Sequence, residues 1–314
     1  MCFFSSNRRF DTTSNIIFFI VCVIMLFFIS PLKGDVPKDL DKQKPVGEVL
    51  NIYHVWNKLS VAIAGKGKEN NEIKKIGTHI FSFGEDACFV TLTKHISPKA
   101  IALGVADGVG GWRKKGIDPG DFSRALVGYM QNATAIDPQQ IIQEGYDCLL
   151  GEKKVAAGSS TACVATIDNL ILKWANLGDS GLKVIRDQKI THETIEQQSH
   201  FDCPFQLSVR PPDYKPGKRH PSDCSCGTYI LKQGDIIIMA TDGLFDNVDD
   251  ATLIQWSNLH HNTTKIAESL LIEAIQNSQN PTKESPFEHK ARASGKVHSG
   301  GKEDDITIIV VKVL

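Results

Sequence analysis

The chain has 314 residues, 41% hydrophobic and 23% charged, which fits an ordinary globular protein of one large domain or two small ones. Its formal net charge of −1 sets up no overall field toward nucleic acid or an anionic membrane, so no nucleic-acid partner is expected. Eight cysteines show no metal-site spacing, Cys224-Ser225-Cys226 being the one close pair. Free thiols are the simple reading, although the even count and the Asn-x-Thr sequons at Asn132 and Asn262 leave an oxidising compartment open.

In chain order, residues 16–29 (IIFFIVCVIMLFFI) form an unbroken apolar run behind Arg8 and Arg9. The run is shorter than the ~20 residues that span a bilayer at ~1.5 Å each. It reads either as a membrane anchor, a short transmembrane helix, or as the core of a cleaved leader. The acid-poor start with its Arg, Ser and Thr is similar to a mitochondrial presequence, and a secretory-pathway membrane is the other destination. Residues 33–48 (KGDVPKDLDKQKPVGE) are charged and contain Pro and Gly, so they read as a linker. The expected division is a targeting segment over 1–32, a linker over 33–50 and one folded domain over 51–314. The basic clusters Lys66 to Lys75 and Lys215 to His220 sit among Gly, Pro and Asn and read as solvated loops.

Short runs rich in Val, Ile and Thr predict strands at 87–93, 100–106, 161–167, 170–176, 182–186, 235–241 and 306–313. Helical spacing of Phe122, Ala125, Leu126 and Tyr129 predicts a helix over 119–130, with Pro119 in its first turn. A second is expected over 138–150 through Ile141, Ile142, Tyr146 and Leu149. A third, over 263–277, runs through Ile266, Leu270, Leu271, Ala274 and Ile275, with Thr263 or Thr264 as N-cap. The order does not alternate strand and helix, so an α+β sandwich is expected rather than a doubly wound parallel sheet.

Acids gather at the borders of these apolar runs. Asp107-Gly108 closes 100–106, Asp242-Gly243 closes 235–241, and Asp179 follows 170–176. Glu303, Asp304 and Asp305 precede the last strand, and Glu85-Asp86 precede 87–93. Any single Asp-Gly is a turn signal. As a set, carboxylates brought together at low dielectric need a cation or raised pKa values. Oxygen-only ligands favour Mg²⁺ or Mn²⁺ over zinc. A glycine after the aspartate lets a backbone carbonyl approach an ion closely. Other schemes fail on spacing: Leu253 stands where an EF-hand from Asp242 needs Glu, no GxxxxGK[ST] or GxSxG occurs, and GSSTA (158–162) has no neighbouring His. GSSTA reads as a tight strand entry beside the site.

The stretches GEDACF (84–89), GVADGVGGW (104–112), GSSTA (158–162) and ANLGDSG (175–181) resemble the type-2C metal-dependent serine/threonine protein phosphatases. QQSHFDCPFQLS (197–208), GDIIIMATDGLFDNV (234–248) and GGKEDDITIIVV (300–311) continue the series in the family's order. GVADGVGGW and PFQLS look most like its mitochondrial branch. The resemblance implies a four-layer α-β-β-α sandwich with a dinuclear metal cleft at one sheet edge. It implies hydrolysis of phosphoserine and phosphothreonine by direct attack of a metal-bound hydroxide, with no phosphoenzyme. Asp107 looks like the bridging carboxylate, Gly108 like a carbonyl ligand, Asp242 and Asp304 like further ligands of one ion, and Glu85 like a ligand of the other. Asp179 is similar to the acid that, with Asp242, holds a third, weaker ion. Asp107 and Asp242 are thus the expected catalytic centre, and Asp304 is preferred to Asp305 as ligand.

Two positions depart from the family. Val109 stands where many relatives carry a His that serves as general acid, and Phe81 where relatives carry a phosphate-binding Arg. That leaves Arg113, Lys74, Lys75 or His79 to supply the positive charge, and metal-bound water to donate the proton. A monomer acting on phosphorylated proteins is expected. A phosphatase-fold scaffold without activity is the alternative, disfavoured because Glu85, Asp107, Asp242 and Asp304 are all present. Substrate selectivity is assigned to the Pro-rich stretch 197–227, read as irregular.

Overall fold

Two antiparallel sheets pack face to face in this computed structural model, which describes residues 48–56, 58–69, 73–77, 79–92, 100–211 and 219–314. The first half supplies β1 (Glu48–Trp56), β2 (Leu59–Lys66), β3 (Ile73–Gly77), β4 (Ile80–Phe83), β5 (Asp86–Leu92) and β6 (Ile101–Ala106). Helices α1 (Pro119–Gln131) and α2 (Pro138–Glu152) follow, and then β7 (Gly158–Ser160), β8 (Ala162–Asp168), β9 (Ile171–Leu177), β10 (Gly181–Arg186) and β11 (Lys189–Glu193). Three short strands, β12 (Gln198–His200), β13 (Cys203–Pro204) and β14 (Leu207–Val209), lead to β15 (Ser225–Ile230) and β16 (Ile236–Ala240). Helices α3 (Asp242–Phe245), α4 (Asp250–Leu259), α5 (Thr263–Ser278) and α6 (Pro286–Ala293) precede the last strand, β17 (Ile306–Val313).

One sheet runs β1-β2-β17-β16-β10-β11 and the other β15-β9-β8-β6-β5-β4-β3. Their register shows why the strands are apolar throughout. Ile63, Ile309 and Met239 lie side by side on β2, β17 and β16, and the next row is Val61, Val311 and Ile237. Both rows face the other sheet, where Cys88, Val105 and Cys163 form the matching row. The alternate residues Phe89 and Val164 point outward, onto Phe122, Leu126, Ile142 and Tyr146 of α1 and α2. Helix α5 covers β2 and β17 on the far side. The central strands β2, β6, β8, β16 and β17 are therefore buried on both faces, and each fully buried aliphatic side chain contributes about 1.5–3 kcal/mol. The α+β class expected from the sequence is the class observed.

Local signals set the helix starts. Asp118 accepts a hydrogen bond from Gly120 N at 2.9 Å and Asp137 one from Gln139 N at 3.1 Å, each with Pro at the first helical position. For α5 the expected cap is corrected. Asn262, not Thr263 or Thr264, accepts from Thr264 N at 2.8 Å, because its longer side chain reaches the free N–H from one residue outside. Strand β1 starts at Glu48, inside the expected linker. Within its described residues, 197–211 and 219–227, the stretch expected to be irregular contains β12 to β14 and the first half of β15, with β14 paired to β7. Among the described residues no helix is long and apolar enough to cross a membrane, and residues 16–29 lie outside them.

Candidate metal centre

Antiparallel pairing with matched strand ends puts the acids at one end of the sandwich. Ala87 pairs with Ala106, Ala162 with Leu177 and Gly181 with Ala240, so the residues just beyond these pairs converge. One carboxylate oxygen from each of Asp107, Asp179 and Asp242 lies within 4.8 Å of the others. These aspartates stand at the ends of β6, β9 and β16, strands in the interior of their sheets. The cleft expected at a sheet edge is thus corrected to the ends of interior strands.

The backbone around Asp107 is held from both sides by GSSTA, as its reading as a tight strand entry anticipated. Asp107 N donates to Thr161 Oγ1 and Thr161 N donates to Asp107 O, both at 3.0 Å. At Gly108 a Cβ would come within 2.7 Å of the carbonyl oxygens of Glu85 and Pro119, so this position admits only glycine without backbone movement. Glu85 lies in the two-residue β4–β5 turn after Gly84, whose φ of 66° suits glycine. Its N–H donates to Asp305 Oδ2 at 2.7 Å, while its carboxylate accepts from Arg113 Nε. Arg113 also pairs with Glu69 at 2.6 Å. Asp305 is engaged structurally by the Glu85 and Lys68 N–H groups, and Asp304 instead lies 3.3 Å from Lys302 within the acidic cluster. Phe81, at the position of the family's Arg, is buried in the core between the sheets.

Burial, reinforced by the charge of Asp242, pushes the carboxyls of Asp107 and Asp179 well above their ordinary range. Burial first and Asp242 second push Asp304 up to about 7. Asp242 goes the other way. Burial, the largest single influence, opposes its ionisation, but the Lys302 ammonium 2.6 Å away, the Lys290 charge and a hydrogen bond with Asp107 together hold its pKa below the usual value. Asp86, 1% exposed, is pushed up by burial and then by Asp305, and accepts from Thr241 Oγ1 at 2.8 Å.

Sequence reasoning missed Lys302, Asp246 and Lys290, and it grouped Asp86 with Glu85 without giving it a role. Lys302 Nζ reaches Asp242, Asp246, Asp202 and Asp304, and Lys290 bridges Asp246 and Glu196. A signal existed for Asp246, four residues after Asp242 and so one turn along a helix; for Lys302 there was none. Of the four cations named from sequence, Arg113 is placed against Glu85, and Lys75 is exposed on β3.

The residues present suit a hard divalent cation. All donor atoms are oxygens, and Asp179 Oδ1 is buried without a hydrogen-bond partner. Two sheets carrying such a cluster at their strand ends, with helices outside, define a metal-dependent hydrolase fold. Residues 97–314 match the family described as Stage II sporulation protein E (SpoIIE). The chain is 36% identical over 284 residues to the protein phosphatase PTC7 homolog fig of Drosophila grimshawi, covering 84% of this chain and 89% of that one. It is 38% identical to the protein phosphatase PTC7 homolog of Homo sapiens, covering 73% and 79%. The fold is similar to that of the photosystem II phosphatase PBCP, with a TM-score of 0.68 at 29% identity, covering 82% of this chain and 99% of that one. A serine/threonine phosphatase of S. agalactiae shares the fold at a TM-score of 0.55 and 14% identity, covering 82% and 100%. The chain belongs to the type-2C metal-dependent protein phosphatases. It is a phosphoprotein phosphatase, and its substrates are phosphorylated proteins.

Proposed function

We propose that Asp107, Asp242, Asp304, Glu85 and the Gly108 carbonyl hold two divalent ions, Mg²⁺ or Mn²⁺, with Asp107 shared between them and Asp179 auxiliary. The convergence of Asp107, Asp179 and Asp242 within 4.8 Å carries this reading. When bound, such ions neutralise the carboxylates, acidify water and draw negative charge from a phosphoryl group. The chain's own residues do the remaining work. Thr161 fixes the backbone of Asp107, so that its carboxylate needs no reorganisation during reaction. The Glu85 N–H, tied to Asp305, sets the turn that carries the Glu85 side chain. Arg113, beside Glu85 and partly exposed, is the cation we assign to the substrate's phosphate, in place of the arginine lost at Phe81. With Val109 at the family's histidine position, no side chain there exchanges a proton with the leaving alkoxide.

The substrate is a phosphoserine or phosphothreonine side chain, and the domain expected over 51–314, extended to Glu48 by β1, is read as the one that acts on it. Residues 1–32 are read as a mitochondrial targeting segment, with 16–29 either an anchor or a leader core, and the linker expected over 33–50 as ending before β1 at Glu48; a fluorescent fusion of residues 1–50 separates mitochondrion from secretory membrane. Nothing observed favours an inactive scaffold. The test is phosphate release from a phosphothreonine peptide with Mn²⁺, with EDTA and with Asp242→Asn. Chelation should abolish release, and the substitution should lower kcat/KM by about 10³-fold, the several kcal/mol a lost metal ligand costs. Release indifferent to both would overturn the assignment.

A further inference from the structure

We propose that Lys302 is a built-in cation of the acidic cluster, its ammonium filling a cation position between Asp242 and Asp246 and so holding the centre to two divalent ions. The proposal rests on the reading that Asp107 and Asp242 bind such ions. Lys302 Nζ lies 2.6 Å from Asp242 Oδ2, 3.1 Å from Asp246 Oδ2, 3.2 Å from Asp202 Oδ1 and 3.3 Å from Asp304 Oδ2. Four carboxylates around one nitrogen resemble the shell of a small cation more than a surface ion pair. The side chain is 19% exposed, with Nζ 4.9 Å from the centre of the Phe287 ring.

Its backbone is equally fixed. Lys302 N donates to Asn247 Oδ1 at 2.9 Å, and Asn247 Nδ2 donates to Lys302 O at 2.8 Å and to Gly243 O at 3.0 Å. Asn277 Nδ2 in turn donates to Asn247 O at 2.9 Å. One asparagine therefore ties the lysine to the short helix that begins with Asp242, and the ammonium keeps its register with that carboxylate.

Positive charge then limits how many ions fit. Asp246 Oδ1 meets Lys290 Nζ at 2.8 Å and its Oδ2 meets Lys302 Nζ at 3.1 Å, so its negative charge is already matched by two ammonium groups that would repel an added ion. Asp242 Oδ2 also meets Lys302 at 2.6 Å, while one Asp242 oxygen lies in the cluster with Asp107 and Asp179, so the lysine shares this carboxylate's charge with that cluster. An ion seated on the lysine side would have to displace the ammonium from its four carboxylate partners, and breaking a buried ion pair is strongly unfavourable. A neutral side chain at 302 removes that obstacle and leaves Asp242, Asp246 and Asp202 facing a gap.

The test counts Mn²⁺ bound to the full chain by equilibrium dialysis. The wild-type protein and Lys302→Arg should saturate at two ions, Lys302→Met should take up one more, and adding Asp246→Asn to Lys302→Met should return the count to two. Asp246→Asn alone should leave it at two, which keeps the proposal testable if Lys302→Met does not fold. Three ions on the wild-type chain, a fall in the count with Asp246→Asn alone, or a folded Lys302→Met that still binds two would overturn it. Phosphate release dependent on Mn²⁺ with two bound ions leaves the phosphatase assignment standing whichever way the lysine variants fall. A wild-type chain that binds no Mn²⁺ overturns both.

Discussion

Arg113 shows how one residue can serve two partners. Its Nε is bonded to Glu85 and its Nη1 to Glu69, yet nearly half the side chain stays exposed beside the acidic centre. If it also meets the phosphate, Arg113→Ala should raise KM for a phosphothreonine peptide by about tenfold, the 1.4 kcal/mol expected from loss of one charge-assisted hydrogen bond. Arg113→Lys should restore only part of this, since an ammonium lacks the planar fork. Steady-state kinetics with each variant gives the answer, and an unchanged KM would remove Arg113 from the substrate site. Asp107 and Asp242 were legible in the sequence because each closes an apolar run and is followed by glycine. Lys302 was not, because its partners come from residues 202, 242, 246 and 304 and only folding brings them to it.

At the scale of elements, helices announced themselves through caps and spacing, and the ends were less legible than the middles. Helix α2 ends at Lys153, which adopts φ 53° and ψ 26°, a left-handed conformation that costs a side chain about 1 kcal/mol and suits glycine. Lys153→Gly should therefore leave stability unchanged or raise it by up to about 1 kcal/mol, the relief of strain exceeding the entropy glycine adds to the unfolded chain. Urea unfolding at constant slope measures the shift, and a loss of more than 1 kcal/mol would show that Lys153 makes a contact that matters. The strands β6, β8, β16 and β17 were visible as apolar runs because both their faces are covered, and β5, β9 and β10 because most of their length is. Helices α4 and α6 were given no bounds from the sequence; α6 carries four charged or polar residues in PFEHKARA, and its apolar contact with the body rests on Phe287 and Ala291.

For the whole molecule, the acidic end makes stability depend on pH and on cations together. In the metal-free chain Asp86, Asp107, Asp179 and Asp304 are raised, Asp304 to about 7, whereas in the unfolded chain they return to about 3.9. Between those values the folded state binds more protons, so stability is present at low pH and lost as pH rises toward and past 7. Asp242, lowered by Lys302, works in the opposite sense and offsets part of the effect. The thermal midpoint in EDTA should therefore fall between about pH 5 and pH 8, and saturating Mn²⁺ should cancel the fall. At a hundredfold excess over its dissociation constant an ion adds about 2.7 kcal/mol. Calorimetry across that range with and without Mn²⁺ decides it; a midpoint that rises with pH in EDTA would show that the cluster is not a source of strain.

The sequence by itself determined that acids end buried strands, that the candidate ligands are oxygens, and which strands and helices carry most of the core, because periodicity and Asp-Gly steps are local. Only the tertiary structure decided which oxygens meet. Three aspartates 63 to 135 residues apart converge because antiparallel strands end level with one another, and a lysine hidden among charged neighbours becomes the counter-ion of four carboxylates once β16 and β17 pair.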